Sequence, residues 1–145
     1  MRALIQRVSE ASVQINAERV GSIDQGLLVF LGIEKNDVQA DADKLLDKIL
    51  AYRVFSDAED KMNLSVRDIK GGLLVVSQFT LAAVTNTGLR PSFSSAKPPQ
   101  QAQELYKHFL EQARIQHNPV ASGEFGANMQ VSLVNDGPVT FLLNS

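Results

Sequence analysis

At 145 residues with 44% hydrophobic content, the chain is long enough to bury a real core and too short for several domains. A net charge of −2 excludes a protein that coats nucleic acid through bulk positive charge, although a small basic patch meeting one end of an RNA remains allowed. The absence of cysteine excludes a disulfide framework, a thiolate nucleophile and a cysteine-ligated metal.

Taken in chain order, Ala3 to Val8 reads as a first strand, and Ala11 to Ile15 alternates as a second. The stretch Met1 to Arg7 is too charged for a signal peptide, and no segment has the length to cross a bilayer, so a cytoplasmic location without membrane contact is expected. Asn16-Ala17-Glu18 is a turn, and Val20 to Ile23 a short return strand ending at Asp24-Gln25-Gly26. Leu27 to Leu31 is a continuous apolar run that suits a strand buried on both faces. Ala42, Leu45, Leu46, Ile49 and Leu50 recur at helical spacing, with Asn36 or Asp37 placed to cap the helix. Leu73 to Val76 is another buried strand. Pro98 and Pro99 open a second helix with Ala102, Leu105, Tyr106, Phe109 and Ala113 on its inner face, and Asn118-Pro119 ends it. Gly26-Leu27-Leu28-Val29 is echoed by Gly72-Leu73-Leu74-Val75, as two similarly buried strands would be. The expectation is one mixed α/β domain of α+β-like character spanning residues 1–145, with a mostly antiparallel sheet or barrel and about two main helices.

Conventional catalytic groups are scarce. His108 lies well round its helix from the apolar stripe and reads as a solvated surface residue. His117, at the helix exit, reads as a partner for the helix C-terminus. No histidine-carboxylate pattern offers metal ligands, so no metal and no cofactor are expected. Asp57, Glu59 and Asp60 match no calcium loop and read as a solvated turn.

Two blocks stand out. Ser77-Gln78-Phe79-Thr80-Leu81 places hydroxyls and an amide at the end of a buried strand, where α/β folds commonly hold sites. Thr80 has no base near it in sequence to make it a nucleophile. Beyond it, residues 85–94 form a polar loop with one cation, Arg90, suited to a phosphate or carboxylate. The second block, Asn135-Asp136-Gly137-Pro138-Val139-Thr140, breaks otherwise regular strand sequence, so that Val131 and Leu133 read as one strand and Val139 and Phe141 as another. An X-Pro bond is the cheap place for a cis peptide, at roughly 0.5–1 kcal/mol against about 3 elsewhere. A kink there aims main-chain carbonyls, which points to recognition by backbone.

Together the two blocks resemble the signature motifs of D-aminoacyl-tRNA deacylases. The resemblance extends through Gln6-Arg7-Val8, Phe55-Ser56-Asp57-Ala58, Arg90-Pro91-Ser92-Phe93 and Met129-Gln130-Val131-Ser132, and Phe125-Gly126-Ala127-Asn128 matches more loosely. It implies a homodimer that hydrolyses the ester joining a D-amino acid to the terminal adenosine of tRNA, acting on the aminoacyl-tRNA acceptor end and accepting glycyl-tRNA to some degree. It further implies a cis Gly137-Pro138 bond entering the partner subunit's pocket beside Ser77, Gln78, Phe79 and Thr80. There the carbonyls select chirality, because collision and an unpaired polar group reject an L side chain. Backbone N–H groups near Phe79 and Thr80 would stabilise the oxyanion, with the ribose hydroxyl assisting, and direct attack by Thr80 is the rival route. By the same resemblance Arg7 braces the Gly-Pro loop, and Met129 and Phe125 lie near the adenosine. Two alternatives stand beside it: a related deacylase group that removes L-alanine from tRNA, and a non-catalytic nucleic-acid-binding module. The acidity of the chain and the lack of an interleaved basic and aromatic surface weigh against the second.

Overall fold

The computed structural model describes residues 1–86 and 88–145; Thr87, within the expected polar loop, lies outside the described residues. The chain begins with β1 (Arg2–Ile15), one uninterrupted strand where two were expected. Ser9 and Glu10, the polar pair that marks the supposed break, are simply exposed positions along it. A two-residue turn at Asn16 and Ala17, both at positive φ, returns the chain as β2 (Glu18–Ile23), with Ile15 paired to Glu18. β3 (Gly26–Gly32) follows and is buried at every position but Phe30. Helix α1 (Gln39–Ala51) turns Ala42, Leu45, Leu46, Ile49 and Leu50 inward, as its periodicity requires.

The expected cap of α1 is corrected. The N-cap is Val38, whose side chain accepts no hydrogen bond, and Asp41 reaches back instead to accept the Val38 N–H at 2.9 Å. Asp37 is drawn away because its carboxylate accepts from the Met1 ammonium at 2.6 Å and from the Glu34 N–H at 2.6 Å.

Two short strands, β4 (Phe55–Ser56) and β5 (Met62–Leu64), form a small hairpin around the acidic turn. Asp57 organises that turn, accepting from the amides of Glu59 and Lys61 and from the Asn63 side chain. β6 (Gly72–Ser77) ends in a single 3-10 turn, Phe79–Ala82. Helix α2 (Pro99–Gln116) has proline in its first turn and buries Ala102, Leu105, Tyr106, Phe109, Leu110 and Ala113. His117 caps it, placing Nε2 2.7 Å from the Gly71 carbonyl, and a cis Asn118-Pro119 bond leads into β7 (Val120–Ser122). β8 (Gln130–Asn144) closes the chain. His108 is not a free surface residue: it is tucked between the helices, its Nε2 2.7 Å from Asp43 Oδ1.

The main sheet runs β2-β1-β3-β6-β7, with β8 on the other side of β1. Pairs involving β1 are antiparallel, whereas β3–β6 and β6–β7 are parallel. The sheet curls until β2 approaches β7; a side chain on Gly21 would stand 2.8 Å from the Ser122 carbonyl. The result is a nearly closed mixed sheet with two helices packed on it, in a single small domain, and the main core lies between helices and sheet. Leu28, Leu74 and Val13 fill a second core inside the curl. No helix among the described residues is long and apolar enough to cross a membrane.

The echo between the two Gly-Leu-Leu-Val segments has a spatial meaning. Gly26 pairs with Gly72, Leu27 with Leu73, Leu28 with Leu74 and Val29 with Val75, in register. An added Cβ on Gly26 would lie 2.6 Å from the Gly72 nitrogen and nearer still to its carbonyl oxygen. Gly26→Ala therefore forces apart the strands that carry the 3-10 turn. We expect a loss of about 1–3 kcal/mol in chemical denaturation, the usual cost of overpacking.

The hairpin also sets an acid dependence. The Asp57 carboxyl is held below its ordinary value of 3.8 by the Lys61 amide first and the Asn63 side chain next, and Asp68 is lowered by the Ser65 amide and hydroxyl. Carboxyls depressed in the folded state stabilise it fully above their unfolded value, and that contribution is lost as pH falls through the folded value. The melting temperature of Asp57→Asn should accordingly fall less than that of the parent between about pH 5 and about pH 2, and equal slopes would contradict this.

Candidate active site

Backbone geometry at the end of β6 builds the first half of the site. Leu31 and Ser77 are the last parallel pair, and the Gln78 N–H then donates to the Leu31 carbonyl at 2.8 Å. This bond turns the chain out of the sheet and into the 3-10 turn. Gly32 makes room for it, since a Cβ there would meet Leu81 Cβ at 2.8 Å. Within the turn, Leu81 N–H donates to Gln78 O and Ala83 N–H to Thr80 O, while the Phe79 and Thr80 amides donate to no protein acceptor among the described residues. These are the orphan donors that every helical start leaves. The Gln78 side-chain amide donates to Thr80 Oγ1 at 2.6 Å, fixing both polar side chains against the turn.

A cavity of about 700 Å³ opens beside this turn. Ser77, Gln78 and Phe79 line one side, and Phe125 and Met129, from the loop between β7 and β8, line another. The Val75 carbonyl anchors both the start of that loop and helix α2: it accepts from Gly123 N–H and from the Tyr106 hydroxyl, each at 3.0 Å. Burial pushes the Tyr106 hydroxyl up to about 12, so it stays a donor across the working range. Its ring packs on Phe125 with centroids 5.7 Å apart. Sequence reading took Tyr106 for core alone; its hydroxyl, the one polar atom on the inner face of α2, is the signal that it holds something. Lys97 on the cavity wall was missed as well.

The second half lies elsewhere on the molecule. β8 pairs with β1 from Gln130 to Asn144 as one strand, not two. The register slips where Gln6 faces Thr140 but Val8 faces Asn135, so residues 136–139 are extruded as a bulge. Asn135 closes its neck, accepting Val139 N–H at 3.0 Å and donating to Thr140 Oγ1 at 2.9 Å. Arg7, on β1, fills the bulge from beneath: Nε donates to the Asp136 carbonyl at 2.9 Å and Nη1 to the Val54 carbonyl at 2.8 Å. Gly137 sits at φ +137°, a conformation L side chains rarely adopt, and a Cβ would meet Val139 Cγ2 at 2.7 Å. The Gly137-Pro138 bond is cis.

The structure thus brings Ser77, Gln78, Phe79, Phe125 and Met129 together around one cavity. Thr80 stands beside it, exposed, and is not among its lining residues. Gly137 and Pro138 form a separate projection with Arg7 beneath it, and none of the three lines this cavity.

The Tyr106 arrangement gives a direct test. Tyr106→Phe removes one of the two donors to Val75 O and leaves Gly123 N–H in place, so stability should fall by only about 0.5–1.5 kcal/mol in denaturant titrations. A much larger loss would mean that the hydroxyl holds α2 to the sheet by more than one of two bonds to a shared acceptor.

Comparison with known proteins agrees over the full length. A family profile described as D-Tyr-tRNA(Tyr) deacylase matches residues 4–144. A D-aminoacyl-tRNA deacylase of Stutzerimonas stutzeri is 64% identical, each chain covered completely, and one of Cellvibrio japonicus is 62% identical over 99% of this chain and 98% of the relative. A solved structure described as c-Myc DNA Unwinding Element Binding Protein superposes with a TM-score of 0.96 at 43% identity, covering 100% of this chain and 99% of that one. A probable eukaryotic D-amino acid tRNA deacylase shares the fold, with a TM-score of 0.85 at 16% identity over 99% of this chain and 98% of that one. Matched from Leu4 to Asn144 and 62% and 64% identical to the two relatives above, the chain belongs to the D-Tyr-tRNA(Tyr) deacylase family.

Proposed function

We infer that this protein hydrolyses the ester of D-aminoacyl-tRNA, releasing free tRNA and the D-amino acid, and that it does so with main-chain groups. One observation carries the mechanistic part: the Phe79 and Thr80 amides, unpaired within the described residues, lie beside a cavity whose other wall is Phe125 and Met129. The cavity takes the terminal adenosine against Phe125 and Met129 and sets the ester carbonyl by the two amides. As water attacks, the carbonyl oxygen becomes an oxyanion that accepts from both, and the donors are already oriented by the turn. The neighbouring ribose hydroxyl of the substrate assists the attacking water. Thr80 Oγ1, held by Gln78, positions the turn and is not the nucleophile.

Selection against L-amino acids belongs to the second half of the site, supplied by another copy of the chain. The Gly137-Pro138 projection stands away from its own cavity and is braced by Arg7, so a subunit arranged two-fold offers it to the partner's Ser77-to-Thr80 segment. The exposed edge of β8 supports such pairing: among the described residues it pairs only with β1, and Val134, Phe141 and Leu142 on it are between 37% and 54% exposed. Carbonyls on the projection grip the substrate amino group and occupy the side on which an L side chain would project. A D side chain points away and glycine has none, so glycyl-tRNA is a slower, accepted substrate. An enzyme acting on aminoacyl-tRNA works where translation runs, so the reading carries a cytoplasmic location with it.

The decisive assay sets D-tyrosyl-, L-tyrosyl-, L-alanyl- and glycyl-tRNA side by side, with sedimentation to count subunits. Hydrolysis restricted to the D and glycyl esters by a dimer is expected; equal cleavage of the two tyrosyl enantiomers, or preference for L-alanine, overturns the reading. Thr80→Ala should keep most turnover. Arg7→Ala frees the projection, and a shift of about 1 Å is worth roughly 10²-fold in rate.

A further inference from the structure

The cavity has an aromatic rim that the reaction does not use. Phe79 presents its amide to the site but leaves its ring 60% exposed, and Phe93 is 41% exposed. The two rings meet with centroids 4.9 Å apart and planes inclined by 47°. Both line the cavity while remaining open to solvent, so they stand at its mouth. Exposed phenyl rings cost hydrophobic free energy, and here they are not on a loose segment. Ser92 exchanges backbone hydrogen bonds with Val84 at 2.8 and 3.1 Å, the Phe93 carbonyl accepts from Ala96 N–H at 3.0 Å, and Ser95 Oγ donates to the Ala82 carbonyl. The Phe93 backbone is pinned on both sides, directly over the turn that carries Phe79.

A cation stands in the same cavity wall: Lys97, its Nζ donating to the Lys35 carbonyl at 2.9 Å with donors to spare. Flat aromatic faces with nearby cations are how proteins hold single-stranded nucleotides without reading their sequence.

We propose that Phe79 and Phe93 form a stacking platform for the penultimate nucleotide of the tRNA acceptor end. This deepens the deacylase reading and rests on it. With the terminal adenosine inside the cavity, the strand must leave by the mouth, and the next base is the first to cross the rim. Phe79 then has two separate duties, its main chain toward the ester and its ring toward the incoming strand.

The test compares a D-tyrosyl ester of adenosine with that of the cytidylyl-adenosine dinucleotide, and with a dinucleotide analogue abasic at the cytidine position. If the parent protein cleaves none of these and no D-tyrosyl-tRNA, the deacylase reading fails and takes the platform with it. If it cleaves them, the parent should favour the dinucleotide over the adenosine ester in kcat/KM. Phe93→Ala and Phe93→Leu should reduce that preference roughly tenfold, Phe93→Tyr should restore it, and the abasic analogue should not respond to the substitutions. Leu keeps the apolar volume without the π-face, which covers a failure of the alanine variant to fold. A preference that survives Phe93→Leu overturns the platform while leaving the deacylase reading intact. So does a change of oligomeric state in that variant, which would assign the rings to a subunit contact.

Discussion

β1 has hydrogen-bonded neighbours on both sides along nearly its whole length, and the rest of the molecule hangs from that saturation. On one edge it pairs first with β3, from Arg2 to Val8, and then with β2, from Ala11 to Ile15. On the other it pairs with β8 throughout. Through β3 it positions β6 in parallel register, and so the turn bearing Phe79 and Thr80. Through β8 it holds the bulge, because Arg7 is itself a β1 residue. Both halves of the candidate site are thus referred to one strand. That common reference supplies the preorganisation that the proposed main-chain mechanism requires.

Much of this order was legible in the sequence, and what was legible followed from burial. The runs at Leu27–Leu31 and Leu73–Val76 and the inner faces of both helices lie where their periods put them, because each element has a single way to hide its apolar residues. β1 and β8 were each read as two strands because both are only half-buried and carry polar or kinked stretches: Ser9-Glu10 in one, Asp136-Gly137-Pro138 in the other. A strand paired along its length keeps its hydrogen bonds whatever its side chains face. Polarity therefore marks exposure there and not the end of a strand. Asp37 failed as a cap for a different reason: its partner is the Met1 ammonium 36 residues away, a tertiary contact no local pattern contains.

The bulge and the turn of the candidate site were legible for another reason. Its residues are chosen by backbone demands that few side chains meet: a glycine at φ +137°, a proline after it, an asparagine that closes the neck of the bulge, and an amide side chain that pins a turn. Such demands write short, rigid motifs into the chain. The cavity wall opposite carries no comparable demand. Phe125 and Met129 need only be large and mostly apolar, so their own residue types give no sign of the void beside them.

A site made of main chain has a particular tolerance. Under the proposed mechanism the two amides at Phe79 and Thr80 survive almost any substitution of their own side chains, so the reaction would be insulated from those side chains and exposed to residues that shape the backbone. Gly32 beneath the turn, Asn135 at the neck of the bulge and Arg7 inside it touch no reacting atom, yet each determines where a carbonyl or an amide points. The same insulation frees the Phe79 ring for a second task at the cavity mouth. A nucleophilic side chain has no such freedom, because its orientation is the catalyst. Here the Phe79 ring takes no part in the proposed chemistry, which leaves it free for the stacking role proposed at the cavity mouth.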